Sequence, residues 1–484
     1  MLTWRMALTL DENTSVPIFL QIAKGISSAI QDGRLRKGDA LPGTRAMGEQ
    51  LGVNRNTVVA AYQELVAEGW LHTRAGGGTF VADHLPEVTP SRGTPSLAQG
   101  ALPFRINPAP GAQAQQAFSP SVLSCLTGEV DPRMLPMEAL ARAYQRAART
   151  HDARQFTQEN PQGNDRLRGA LVDMLAQAKA IKATRDSLLL LPGLREGLTL
   201  TCRALLRPGD GVAVEALGSH IYWDVLRCAG AVLHPVPVDE EGMQTEGLPA
   251  LLDGSPIRLI MVTALRQYPT TVPLAPQRRK ALLALASARG IPVLEIDVDS
   301  GFQYEGSPIL PLAAEDPVGT VIYLGAFSKL LFPNLPVAFL MASPDLVREL
   351  VAWRKTLAQG GDPFLERAVA ELLEDGEIQR HLNRLRRVSR ERRDVLAQAL
   401  GAHLGGVLEI RPPSGGLAFW LQVLDPDLDV KAWSVRAMHS GLAFRPGCDY
   451  TLDGQGIPWL RMGFGSLSPE ELHEAVARLS KTRT

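Results

Sequence analysis

Two places in this 484-residue chain combine residue types that can do chemistry with a context that would present them. Arg55-Asn56-Thr57 directly follow Asn54, a helix-capping residue type, and so fall in the first turn of a helix, the turn that faces base edges when a helix enters the major groove. Lys329 follows the apolar run TVIYLGAF (320–327), where a primary amine can condense with an aldehyde to a Schiff base; a lysine after a strand is otherwise an ordinary solvated cation. Arg195 comes two residues after Gly193 at the mouth of a helical stretch, and Arg266 stands just past RLIMVT (258–263), so both lie near strand ends where an anion could be held.

The elements around Arg55 read as a small helical domain over residues 11–82. In PIFLQIAKGISSAIQDG the residues Ile18, Ile22, Ile26 and Ile30 recur every four positions and form one apolar stripe, which Gly33 ends. Thr44 is expected to cap a short helix ending near Leu51, Gly52 permits a tight turn, and Asn54 caps a second helix carrying Val58, Ala61, Tyr62 and Leu65. WLHTRAGGGTFVA then reads as a hairpin with Gly76, Gly77 and Gly78 at its tip. That order is a winged helix-turn-helix, with Arg45 near the start of the first helix and Arg74, Gly76 and Thr79 on the wing placed to meet phosphates. Charge gives no extra support: over residues 1–85 the bases Arg5, Lys24, Arg34, Arg36, Lys37, Arg45, Arg55 and Arg74 are matched in number by Asp11, Glu12, Asp32, Asp39, Glu49, Glu64, Glu68 and Asp83. A three-helix domain that binds protein is the plainer alternative.

Residues 83–118, rich in Pro, Ser, Gln and Gly, read as a linker. From 119 to 484 short apolar runs alternate with amphipathic stretches: SLLLLPG, GVAVEAL, AVLHPVPV, RLIMVT, PVLEIDVD, TVIYLGAF and VAFLMAS. Near-continuous apolar strands separated by helices such as 276–289 and 344–358 predict a mostly parallel seven-stranded sheet covered on both faces. Residues from about 360 onward predict a smaller α+β lobe, closed by a helix opened by Ser468-Pro469-Glu470. The arginine-rich stretch RHLNRLRRVSRERR (380–393) reads as a solvated, dimer-facing helix. Cys125, Cys202, Cys228 and Cys448 form no CxxC pair, which excludes zinc knuckles and dithiol redox motifs and suggests buried thiols. The start MLTWRMALTLDENTSVP has no signal-like apolar core and no later run approaches a membrane span, so a cytoplasmic protein is expected.

LPGTRAMGEQLGVNRNTVVAAYQELVAEGWLHTRAGGGTFV closely resembles the GntR-family winged helix. NPQGNDRLRGAL (160–171), LRPGDGVAVE (206–215), RQYPT (266–270), EIDVDSGFQY (295–304), YLGAFSKLLFP (323–333) and RMGFG (461–465) are similar to the MocR subfamily, whose large domain resembles a fold-type I aminotransferase. The resemblance implies an N-terminal winged helix-turn-helix joined to an α/β fold-type I pyridoxal-phosphate-transferase-like domain. It further implies a homodimer, a double-stranded DNA operator and pyridoxal 5'-phosphate at Ser328-Lys329, with Arg461 as the carboxylate clamp.

Within that resemblance several cofactor contacts are missing. Ile296 stands where the family has the aspartate that pairs with the pyridinium nitrogen, and Val298 where it has a tyrosine beside the ring. Ala326 replaces a hydroxyl residue, Pro336 an arginine and Gln158 a tyrosine. Arg195 and Arg266 are new cations, in place of an amide and a histidine. Each lost charge-assisted hydrogen bond is worth roughly 1.5–3 kcal/mol. The expectation is a transcription regulator with no catalytic residue, whose pocket takes a small anionic effector at Lys329, Ser328, Arg195, Arg266 and Arg461. A conventional pyridoxal-phosphate regulator with Lys329 as its Schiff base, and an active aminotransferase, are the competing readings.

Overall fold

The computed structural model describes residues 8, 10–11, 14, 16–74, 77–86, 105, 121–126, 128–149, 160–297, 299–327, 331, 335–357 and 360–483. Two compact units divide the chain, Met1–Ile106 and Asn107–Thr484. Apart from residues 83–86 and 105, the expected linker lies outside the described residues.

In the first unit, helix α1 (Ile18–Gln31) buries Ile22, Ala23, Ile26, Ala29 and Ile30. They join Met47, Val58, Leu65, Trp70 and Val81 in one core, in which each large aliphatic side chain contributes roughly 1.5–3 kcal/mol. Helix α2 (Thr44–Leu51) starts one residue earlier than the capping argument expects: Gly43 occupies the cap, and Thr44 is already helical and makes no cap. Its hydroxyl instead lies 3.5 Å from Arg55 Nε. Gly52 takes the left-handed φ of +67° that the turn needs, and a Cβ at Gly48 would come within 3.0 Å of Val53 O. Asn54 does cap helix α3 (Arg55–Ala67), accepting from Asn56 N at 2.9 Å. Strands β1 (Leu71–Arg74) and β2 (Gly78–Val81) pair antiparallel as the wing.

The second unit is built on seven strands: β3 (Leu188–Leu191), β4 (Gly211–Glu215), β5 (Val232–Val236), β6 (Ile257–Val262), β7 (Val293–Asp297), β8 (Val321–Ala326) and β9 (Ala338–Met341). They lie in the order β3-β9-β8-β7-β6-β4-β5, with β9 antiparallel to both its neighbours. One face packs on α4 (Leu194–Leu205) and α5 (His220–Cys228) through Leu198, Trp223, Leu226, Leu294, Ile296 and Leu324. The other packs Tyr323, Phe327 and Phe339 against Leu167, Leu171 and Leu365. The smaller lobe carries a four-stranded sheet in which Ala418–Val423 pairs antiparallel with Trp459–Gly463. Its last helix opens at Ser468 with a full capping box.

Two expectations are corrected. The helix Glu377–Leu404 is not simply solvated: Arg392 is buried on Asp131 at 2.6 Å, and Arg393 is buried and donates to Pro413 O at 2.9 Å. Arg386 donates to Gly301 O at 2.8 Å, while Arg380, Arg384, Arg387 and Arg390 remain exposed. Those inward partners come from distant segments, so helical spacing alone does not reveal them. Cys228, the last residue of α5, is exposed, whereas the other three cysteines are buried.

Candidate functional site

The reading surface of the first unit follows from how α2 and α3 are held. Tyr62 on α3 donates to Pro42 O at 2.9 Å, which ties the second helix to the chain entering the first. Arg45, Arg55 and Asn56 are exposed and Thr57 is half-buried, so the first turn of α3 presents its polar side chains outward. On the wing, the pairs His72↔Phe80 and Arg74↔Gly78 alternate with Leu71↔Val81 and Thr73↔Thr79, so Arg74 and Thr79 stand on opposite faces of the ribbon. Arg74 lies over the Phe80 ring at 4.9 Å, and its Nε donates to His72 Nε2 at 3.3 Å. His72 thereby holds the wing arginine, a role that residue-type reasoning missed. Gly76 lies outside the described residues.

In the second unit a cavity of about 610 Å³ opens at the carboxyl ends of the strands, where open α/β sheets bind ligands. Gly193, Leu194 and Arg195 from the start of α4, Tyr222 from α5, Ala326 from β8, Pro336 and Arg461 all line it. Of the sequence-predicted pocket residues, Arg195 and Arg461 therefore meet in one place. Arg195 is exposed at the rim. Arg461 is 1% exposed and lies over the Tyr268 ring at 4.8 Å. Among the described residues its Nε and Nη1 have no hydrogen-bond partner.

Arg266 is buried and turns elsewhere: it donates to Ser414 Oγ at 3.3 Å and to Gln303 Oε1, tying the sheet to the smaller lobe. Ser328, Lys329, Val298 and Gln158 lie outside the described residues.

Strand alternation decides what can face the cavity. Ile296 is buried among Leu294, Leu324 and the apolar side of α4. The acid next to it, Asp297, points to the opposite face of the sheet, where Lys179 Nζ lies 2.7 Å away and Ser300 and Tyr323 also donate to it. Burial pushes the Asp297 carboxyl up, but Lys179 and the two hydroxyls outweigh burial and hold it below its ordinary range. Asp299, beyond the strand end where the alternation no longer holds, lines the cavity. Asp299, Tyr222 and Tyr268 were not expected here; strict alternation from Ile296 leads to position 298, so Asp299 reaches the cavity only because the strand has ended at Asp297.

Behind the cavity wall, Glu215 at the end of β4 accepts from Thr263 N at 3.1 Å and Thr263 Oγ1 at 2.6 Å. Thr263 Oγ1 in turn accepts from Tyr268 N at 3.0 Å. Complete burial pushes the Glu215 carboxyl up to about 7. Beneath α4, Glu196 forms an ion pair with buried Arg354 at 3.0 Å, and Arg354 also donates to Pro161 O and Leu190 O at 2.8 Å. That pair fixes the helix start at the cavity rim.

The family profile for aminotransferase class I and II matches residues 128–479, and the profile for bacterial regulatory proteins of the gntR family matches residues 19–81. The chain is similar to the HTH-type pyridoxine biosynthesis transcriptional regulator PdxR of Corynebacterium glutamicum, with 30% identity covering 98% of this chain and 97% of that one. It is also similar to the probable rhizopine catabolism regulatory protein MocR of Rhizobium meliloti, with 28% identity over 98% and 95% of the two chains. Among solved structures, the multiple substrate aminotransferase of Thermococcus profundus superposes with a TM-score of 0.70 at 25% identity, covering 75% of this chain and 92% of that one.

Proposed function

Because the chain belongs to the aminotransferase class I and II family and carries the gntR-type head of the MocR regulators, we propose that its two sites work as a DNA reader and an effector pocket without catalysis. It is a DNA-binding transcription regulator with a winged helix-turn-helix and an aminotransferase-like domain. The observation that carries the reader is the outward first turn of α3: Arg55 and Asn56 meet base edges, Thr57 assists, and Arg45, Arg74, Gly76 and Thr79 supply phosphate contacts. The aminotransferase-like fold commonly dimerises. A homodimer would present two heads to two half-sites.

The aminotransferase fold family binds pyridoxal phosphate generally, and part of this pocket suits it. The start of α4 at Gly193 offers backbone N–H groups to a phosphate, with Arg195 beside them. The rest does not fit. Ile296 offers the ring nitrogen no acid and Asp297 faces the other side of the sheet, while Ala326 and Pro336 on the cavity wall bring neither a hydroxyl nor a guanidinium. Without an acid at the ring nitrogen the electron-sink chemistry of a transaminase loses its support, so no turnover is proposed. The reading is an effector pocket for a small anion held by Arg461 and Arg195, with the cofactor not bound in the family's manner. Among the described residues no helix is long and apolar enough to cross a membrane.

The test pairs two measurements on the purified protein. Anisotropy titration with the promoter DNA beside its own gene should give salt-dependent, sequence-selective binding, and an absorbance titration with pyridoxal phosphate should give a dissociation constant well above the micromolar range. Protein that purifies yellow with one equivalent of cofactor would overturn the pocket reading, and DNA binding without sequence preference would overturn the reader.

A further inference from the structure

A second cavity, of about 1030 Å³, lies on the face of the large sheet to which Asp297 points, and Ala326 is the one described residue that lines both cavities. Two helices form its long walls. The helix Asp165–Lys179 brings Ala170, Met174 and Ala178, and the helix Glu377–Leu404 brings Ile378, Leu382 and Arg386. Each set recurs every four residues and so forms one stripe, about 12 Å long at 1.5 Å per residue. The sheet supplies the floor, where Phe339 packs against Tyr323 and Phe327 with ring centroids 6.0 and 6.2 Å apart. The stripes run side by side, because the two helices meet the same partners at both ends. At one end Arg166 of the first helix pairs at 2.6 Å with Glu374, which lies just before the second helix begins. At the other, Lys179 Nζ donates to Ser300 Oγ, and Arg386 Nη2 donates at 2.8 Å to the carbonyl of the next residue, Gly301.

The trough thus has an apolar length and one polar end, at Ser300-Gly301, and that end offers donors. Both oxygens of Asp297 are engaged: Oδ2 accepts from Lys179, Ser300 Oγ and Tyr323, and Oδ1 accepts from Ser300 N at 3.1 Å. Of the three N–H groups of its ammonium, Lys179 commits two, to Asp297 Oδ2 and Ser300 Oγ. Arg386 commits Nε and Nη2 to Gly301 O, and its Nη1 has no partner among the described residues. Of the other acids on the wall, Glu374 is held by Arg166 and Asp173 is exposed. A group that fills this end must bring acceptors, and two cationic donors favour an anionic one. A bare inorganic ion would leave the stripes and the aromatic floor against water.

We propose that this second cavity binds the anion of a medium-chain fatty acid, its carboxylate on Lys179 and Arg386 and its alkyl chain between the two helix stripes on the aromatic floor. An extended chain of about ten carbons matches the stripes in length. The site is separate from the strand-end cavity and does not depend on what that cavity holds.

The full-length protein would be titrated calorimetrically with decanoate, with hexanoate and with 1-decanol. Decanoate is expected to bind once per chain, at least about ten-fold tighter than 1-decanol, which lacks the charge, and than hexanoate, which is four methylenes shorter. Arg386→Gln, which keeps a donor for Gly301 O, should weaken decanoate at least about ten-fold and leave 1-decanol unchanged. Leu382→Trp, which keeps both cations and fills the trough, should weaken decanoate and 1-decanol alike, so that a folding defect in the arginine variant cannot carry the result. Decanoate and 1-decanol binding equally well would overturn the polar end, and hexanoate matching decanoate would overturn the apolar length. Loss of decanoate in Arg461→Gln would place the probe in the strand-end cavity and overturn the assignment. Failure of decanoate to bind a protein that still binds its operator would overturn it too, and would leave the function above standing.

Discussion

The proposed reading head and the proposed effector pocket both carry arginines, and they keep them in opposite environments. Arg45, Arg55 and Arg74 stand exposed, where a guanidinium costs little to hold and gains affinity by displacing ions from a polyanion. Arg461 and Arg266 are buried, where the cost of removing a charge from water has already been met by the fold and only a specific partner recovers it. Exposed arginines can sample many phosphates; Arg461, buried with Nε and Nη1 unpaired among the described residues, is placed to select. The contrast suits a regulator, since DNA must be searched along its length while an effector must be recognised against many similar solutes.

The largest effect is expected in the pocket. Ile296→Asp combined with Pro336→Arg should tighten pyridoxal phosphate by about 10²-fold or more, since two charge-assisted contacts return at roughly 1.5–3 kcal/mol each. An absorbance titration against the parent protein measures it, and no gain would mean that other groups bar the cofactor. Next is Glu215→Gln, which keeps an acceptor for Thr263 and removes the titration. In the parent protein the folded state holds a proton that the unfolded chain has released between 4.5 and about 7, so stability falls as pH rises through that window. The variant should match the parent near pH 4.5 and exceed it at pH 8 by at most about 3 kcal/mol, at 1.36 kcal/mol per unit, in urea melts.

The head is expected to respond less. Arg55→Ala should cost about 1–3 kcal/mol on the preferred operator and flatten the preference among operator variants, read by anisotropy competition. Arg45→Ala should lower affinity for every sequence alike and reduce the salt slope by about one. If Arg45→Ala instead changed the preference among sequences, the division of the head into base-reading and phosphate-holding arginines would be wrong.

The head was open to sequence reasoning because its elements are short, local and periodic. Four isoleucines at a spacing of four, Gly52 at the turn and Asn54 at the cap lie within a few residues of what they organise. Thr44 misled because Gly43 fills the cap equally well and leaves the hydroxyl for Arg55. All seven runs of the large sheet appear as strands; six are buried almost throughout, which leaves a continuous apolar signature, while Val232–Val236 at the sheet edge is mostly not buried. The pocket was harder. Arg195 and Arg461 reach it from segments far apart in the chain, and no local pattern tells that Arg266 bends toward Gln303 instead. Helix Glu377–Leu404 illustrates the same limit, because buried Arg392 and exposed Arg390 are indistinguishable until Asp131 is brought beside one of them.

The exposure of Cys228, alone among the four cysteines, offers a practical handle. It closes the helix His220–Cys228, whose Ile221 and Tyr222 border the cavity, and it lies about 9 Å along the axis from Tyr222 at 1.5 Å per residue. A maleimide dye would therefore attach at one place on the native protein without any engineered thiol. Its emission would follow occupancy of the cavity in real time while the head is engaged on DNA.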